Sequence, residues 1–200
     1  GMIPVDQEVA AVAVQATRVF RSLGARVERA CPDFGGANEI VLATRGLGMV
    51  ARHADKLAQW EPVMQKGLVW NIKQGLSLTP EQIGNGEKLR TRLWHRVREF
   101  METRDLLILP TVAVPPFPVE QPYPTEINGK PLDNYTQWFF LTYGITLTSL
   151  PAISVPCGFT RSGLPVGLQI VGRRRQEAGV LQAAAAFEAA APWAGQIPPV

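Results

Sequence analysis

The sequence predicts an α/β fold, a mixed β-sheet flanked by helices, on three observations. A long capped helical pattern runs directly into the continuous apolar run Leu106-Leu107-Ile108-Leu109, two further strand patterns lie at 152–155 and 166–171 around a glycine-containing turn, and an alanine-rich helical tract follows them. Two hundred residues, 46% hydrophobic and 18% charged, fit a single domain spanning 1–200 with a core of ordinary size. Gly1-Met2 reads as a residue left by tag cleavage in front of an initiator methionine, which would start the reading frame here.

Asp6 is placed to cap a helix whose apolar positions Val9, Val12, Ala16, Val19, Phe20 and Leu23 keep the 3.6 period, and Gly24 ends it. Ala25–Ala30 alternates and reads as a short strand. From Gly36 to Gly75 the pattern is helical but interrupted at Gly46, Gly48, Pro62 and Gly67, giving two or three helices. Thr79-Pro80-Glu81-Gln82 supplies an N-cap, a proline at N1 and a glutamine at N3, a capping box. Behind it Ile83, Leu89, Leu93, Val97, Phe100 and Met101 form a stripe on a helix of about six turns.

The run 106–109 has the composition of a strand buried on both faces, stopped by Pro110. Six prolines between Pro110 and Pro124 forbid helix and central strand, so an extended surface loop is expected there. Tyr135–Leu147 is aromatic and apolar and reads as a helix on the sheet. The strands at 152–155 and 166–171 turn around Arg161-Ser162-Gly163, and Gly167 marks a close approach of a neighbouring backbone. The last helix, about Gln176–Ala191, carries Val180, Leu181, Ala184 and Phe187 at helical spacing.

Composition excludes several classes of function. A net charge of +3, with basic residues scattered apart from Arg173-Arg174-Arg175, gives no nucleic-acid footprint; that triplet reads as a solvated turn. Cys31 and Cys157 lack the spacing of a disulfide framework or a metal site, so no metal and no cofactor are expected, and the cytoplasm is the default compartment. No apolar run of about 18 residues suggests a membrane span. No GxSxG, HExxH, GxxxxGK[ST] or GxGxxG pattern occurs. His95 sits among Arg92, Arg96 and Arg98 on a solvated face, and His53 has no better claim to a general-base role. Cys157, at a strand end, reads as a small buried side chain, and Asp105 and Asp133 as capping or surface acids. Trp138 and Tyr143, in the aromatic stretch, are the candidate substrate-binding side chains of an apolar pocket, with core packing the more common fate of such residues.

The stretch Ser149-Leu150-Pro151-Ala152-Ile153-Ser154-Val155-Pro156-Cys157-Gly158-Phe159-Thr160, continuing through Gly163-Leu164-Pro165-Val166-Gly167-Leu168-Gln169-Ile170-Val171-Gly172, closely resembles the amidase-signature family. Gly75-Leu76-Ser77-Leu78-Thr79, Asp105–Thr111 and Pro4-Val5-Asp6 before Gly24-Ala25-Arg26-Val27 agree with it in family order. The resemblance implies the C-terminal part of the amidase-signature fold and an ancestry in the hydrolysis of carboxylic amide C–N bonds. Family members use a Ser-cisSer-Lys triad, with lysine acting as base through the bridging serine. The Gly-Gly-Ser-Ser-Gly-Gly type signature does not occur in this sequence, and Gly35-Gly36 is followed by alanine. Lys56, Lys66, Lys73, Lys88 and Lys130 fall in segments that match non-catalytic parts of the family.

No catalytic residue is therefore carried over, and the resemblance implies scaffold and part of the acyl-side pocket for a small amide ligand. Thr146 and Ser149 stand where the family often has asparagine and glycine, and Phe139 stands where glutamine-binding members carry aspartate, which argues against a glutaminyl-tRNA amidotransferase role. The chain is expected to be inactive alone, and to act as a self-associating interaction module, a homo-oligomer, or one half of a split amidase completed by a separately encoded N-terminal half.

Overall fold

The computed structural model describes residues 3–195; Gly1-Met2 lies outside them. The chain divides into two compact units, one of residues up to Pro32 together with those from Arg98 on, the other Asp33–Val97.

The first unit is built on a three-stranded antiparallel sheet of β1 (Leu106–Pro110), β4 (Ala152–Phe159) and β5 (Pro165–Gly172), in the order β1-β5-β4. β4 and β5 form a hairpin whose turn closes through the Thr160 N–H to the Leu164 carbonyl, with Gly163 at φ 82. Pairing Ile153 with Ile170, Val155 with Leu168 and Ile108 with Ile170 places all of these on one face, because side chains alternate along a strand. That face is sealed by helices α1 (Gln7–Ser22) and α7 (Glu177–Ala190) through Ala13, Ala16, Phe20, Ala184 and Phe187. The Phe20 and Phe187 rings stack at 5.3 Å, a pair worth about 1 kcal/mol beyond its buried area. Leu168 and Ile170 are 0% exposed, so β5 is the hub of the core.

β1 proves to be an edge strand and half-buried along its whole length. A four-residue apolar run does not distinguish a strand covered on both faces from an edge strand with only one face on the core. Ala25–Ala30 pairs in no ladder: Val27 packs on the core and Glu28 meets Arg104 at 2.7 Å. Its alternation records one face on the core, but a strand also needs a neighbouring backbone to bond.

Asp6 caps α1 as its chemistry dictates, its carboxylate accepting from the Glu8 and Val9 N–H groups, an arrangement worth about 1 kcal/mol. Arg173 lies in the exposed turn expected of the arginine triplet and also acts as a staple. Its guanidinium donates to the Met101 and Arg104 carbonyls, at and just beyond a helix end, and to Asp105 at 3.0 Å, tying the end of β5 to the start of β1.

The proline-rich segment is not wholly at the surface. Ala113 and Val114 are buried with Ile127 in a second apolar cluster, flanked by Phe117, Leu132, Trp138 and Leu141. Asn128-Gly129, both at positive φ, turns the small hairpin of β2 (Glu126–Ile127) and β3 (Lys130–Pro131). The Asn-Gly dipeptide is the sequence signal for that turn. Beyond it, a 3₁₀ turn (Gln137–Phe139) leads into α6 (Phe140–Thr146).

The second unit contains α2 (Ala37–His53), the short α3 (Leu57–Trp60), α4 (Lys66–Leu76) and most of α5 (Pro80–Met101). Gly46 and Gly48 lie inside α2 and Gly67 inside α4, so these glycines do not interrupt helices; the break falls around Pro62. Gly46 and Gly75 let α2 and α4 touch backbone to backbone, since a Cβ on Gly75 would land on the Gly46 carbonyl and on Val50. The α5 capping box is fully made, Thr79 N–H to Gln82 Oε1 at 2.9 Å and Gln82 N–H to Thr79 Oγ1 at 3.2 Å.

Gly75→Ala should destabilise the protein by about 1–3 kcal/mol through overpacking at this crossing. Gly67→Ala, with open space around it, should be neutral or stabilising by up to about 1 kcal/mol, and thermal melting of the two variants separates them.

Candidate functional site

The face of the sheet opposite α1 and α7 carries the polar side chains. Ser154 is paired with Gln169 in register, and Thr111, just past β1, donates its N–H to the Gly167 carbonyl at 2.9 Å. The Thr111 and Ser154 hydroxyls meet at 2.6 Å across Gly167. A Cβ there would come within 2.8 Å of Thr111 Oγ1 and 3.1 Å of Ser154 Oγ, so the close approach at Gly167 is by two side-chain hydroxyls, where backbone was expected. Helix α6 is laced to this face by Thr142 Oγ1, which donates to the Thr111 carbonyl at 2.9 Å, and by Gln169 Nε2, which donates to the Leu141 carbonyl at 3.2 Å.

An open cleft of about 750 Å³ lies between α6, the start of β4 and α7, its wall including Thr142, Thr146, Ser149, Ala152, Gln169 and Leu181. Ser149 adopts φ 57, the left-handed region that favours glycine. That backbone explains why the family so often has glycine at this step.

The aromatic candidates separate. Trp138 forms part of the wall of an apolar pocket of about 320 Å³, whereas Tyr143 is only 7% exposed and packs against Phe139 and Phe140. Phe139 touches both, at 5.3 Å from Trp138 and 5.7 Å from Tyr143. Of the three pockets described, Trp138 lines one and Tyr143 lines none.

Activation of a hydroxyl needs a base, and a lysine base must be desolvated to lose its proton near neutral pH. All five lysines are exposed, and Lys73 pairs with Glu61. His95 is exposed with its ring against Trp94, and His53 ends α2. The hydroxyl partner of Ser154 is Thr111. Burial pushes the Cys157 thiol up to about 11, which leaves about one molecule in ten thousand as thiolate at pH 7. Asp105 serves Arg173, and Asp133 exchanges hydrogen bonds with Gln137.

The segment Asp105–Pro110, the hairpin at 152–172 and the helix before it thus form one sheet-and-helix unit. The amidase family model matches residues 54–181, well over half of the chain. The chain belongs to the amidase-signature family. An acylamidase of Rhodococcus erythropolis is 37% identical over 204 residues, covering 99% of this chain and 42% of that protein. A glutamyl-tRNA(Gln) amidotransferase subunit from Thermodesulfovibrio yellowstonii is 32% identical over 155 residues, covering 73% and 31%. A crystal structure of a bacterial aryl acylamidase of the same family superposes with a TM-score of 0.85 at 29% identity, over 96% of this chain and 42% of that one. This amidase-family chain spans at most about 42% of the length of these relatives. No helix among the described residues is long and apolar enough to cross a membrane.

Ser149→Gly should raise stability by about 1 kcal/mol by relieving the left-handed backbone, read as an upward shift of the denaturation midpoint. At neutral pH a thiol reagent should label exposed Cys31 in the native protein and leave Cys157 unlabelled until denaturant is added, as peptide mass spectrometry would show.

Proposed function

We propose that this chain forms the supporting sheet and part of the substrate wall of an enzyme that hydrolyses carboxylic amide C–N bonds, and that these 200 residues do not turn over an amide by themselves. The observation that carries the reading is the solvent exposure of every lysine together with the Thr111–Ser154 pairing, which gives the Ser154 hydroxyl another hydroxyl as its partner in place of an amine or imidazole. In the family's chemistry the lysine accepts that proton through a bridging serine while the nucleophile adds to the carbonyl carbon and backbone N–H groups hold the oxyanion. Those groups come from a polypeptide bearing the family's serine-rich segment, whether joined to this chain or encoded apart. The relationship to the R. erythropolis acylamidase supports an acyl amide as substrate, with Trp138 in the pocket wall on the acyl side of the assembled site and Tyr143 supporting it from behind through Phe139. The two free thiols favour the cytoplasm.

Self-association is a second reading, favoured by β4, which has a partner strand on one side only and exposes Ala152, Ser154, Pro156 and Phe159. Pro156 has no N–H to offer, and the bulge between Pro156 and Gly158 interrupts the register, so the edge is blunted and the association weak.

Incubation of the purified chain with aryl and aliphatic amides should give no hydrolysis above buffer; turnover abolished by replacing a single serine would refute the proposal. Light scattering should show an average mass that rises with protein concentration, and a constant monomer mass would count against the second reading.

A further inference from the structure

We infer that the open cleft between α6, the start of β4 and α7 is a binding site for a primary alkylammonium ion. The inference goes beyond the proposed function and stands on side chains of this chain alone, all within one compact unit. The hydroxyls lining the cleft have their protons committed elsewhere. Thr142 Oγ1 donates to the Thr111 carbonyl at 2.9 Å and Thr146 Oγ1 to the Thr142 carbonyl at 3.1 Å, so each oxygen offers lone pairs to a ligand and no proton. Gln169, 6% exposed and also in the wall, gives its Nε2 to the Leu141 carbonyl, while its Oε1 has no partner among the described residues. A largely buried amide oxygen left without a donor is costly, and a donor entering the cleft removes that cost.

Charge selects the kind of donor. Glu177 is the one formally charged side chain among the described lining residues, and no lysine, arginine or histidine is among them. Its carboxylate stands in the first turn of α7, where a full negative charge exceeds the partial positive charge of the helix start, about half a unit. Of the arginine triplet that precedes α7 none lines the cleft, and Arg173 is held by Asp105 and two carbonyls. An ammonium group carries three N–H donors and no acceptor, which matches hydroxyl, amide and carboxylate oxygens, whereas a carboxylate ligand would meet like charge and lone pairs. The remaining wall is apolar, with Leu150, Ile153 and Leu181, and Leu181 is 60% exposed, so an alkyl chain on the ammonium takes this surface out of water. The volume of about 750 Å³ is ample for hexylamine.

Hexylammonium chloride is the probe, titrated into the full chain at neutral pH and followed by residue-resolved NMR and calorimetry. Saturable binding is expected, with shifts concentrated at Thr146, Leu181 and the Gln169 side chain. Glu177→Gln should weaken binding at least about fivefold and Thr146→Val at least about threefold, while Glu188→Gln, near the far end of α7, should leave it unchanged. Glu177 and Thr146 are exposed, so both variants should keep the melting temperature of the parent chain. Absence of binding, or shifts confined to another surface, would overturn the inference. Equal affinity for hexanol or for hexanoate would overturn the preference for a cation, and an unchanged affinity in Glu177→Gln would remove its electrostatic basis. None of these results bears on amide hydrolysis, so the proposed function stands or falls separately.

Discussion

The fold depends on β5 being held between two antiparallel neighbours while one of its faces is shut away from water. Its Leu168 and Ile170 touch the helices that begin and end the described chain, so segments roughly 150 residues apart meet on one strand. Loop closure over that distance costs conformational entropy before any contact forms, and burying several large apolar side chains, at roughly 1.5–3 kcal/mol each, offsets it. Everything on the opposite face follows from the same register. Once Val155 and Leu168 face inward, Ser154, Gln169 and the open side of Gly167 must face outward, and the hydroxyl pair and α6 settle there.

This arrangement sets what the surface can do chemically. The outward face gathers hydroxyls and amides, groups that bind and orient, and it holds them in bonds to one another and to carbonyls. The cations lie elsewhere: Arg173 is committed to a helix end, and the lysines are all exposed to solvent. On the proposed reading, an amide carbonyl resting against this face meets donors and no activated nucleophile. Membership of the amidase-signature family is therefore compatible with the proposed inactivity of these residues alone, since the chain spans about 42% of its relatives' length.

Local chemistry was the most legible part of the sequence. The Asp6 cap, the Thr79/Gln82 box, the hairpin strands and the final helix stand where short-range stereochemistry puts them. The differences arise where a partner decides. Ala25–Ala30 has strand-like alternation without a strand beside it, the apolar run of β1 turned out to be an edge, and Ala113 and Val114 are buried in a segment whose prolines suggested only surface. Of the site, the aromatic stretch around Trp138 was legible, but the burial of Tyr143 and the meeting of Thr111 with Ser154, forty-three residues apart, depend on tertiary packing that no local pattern encodes.

The central claim is that no hydroxyl among these residues is activated, and covalent labelling probes it without reference to any particular substrate. A fluorophosphonate reacts stoichiometrically with an activated serine and leaves an ordinary one alone. The intact mass of the chain after exposure to it is predicted to be unchanged, and a one-to-one adduct mapped to a serine such as Ser154 would contradict the account.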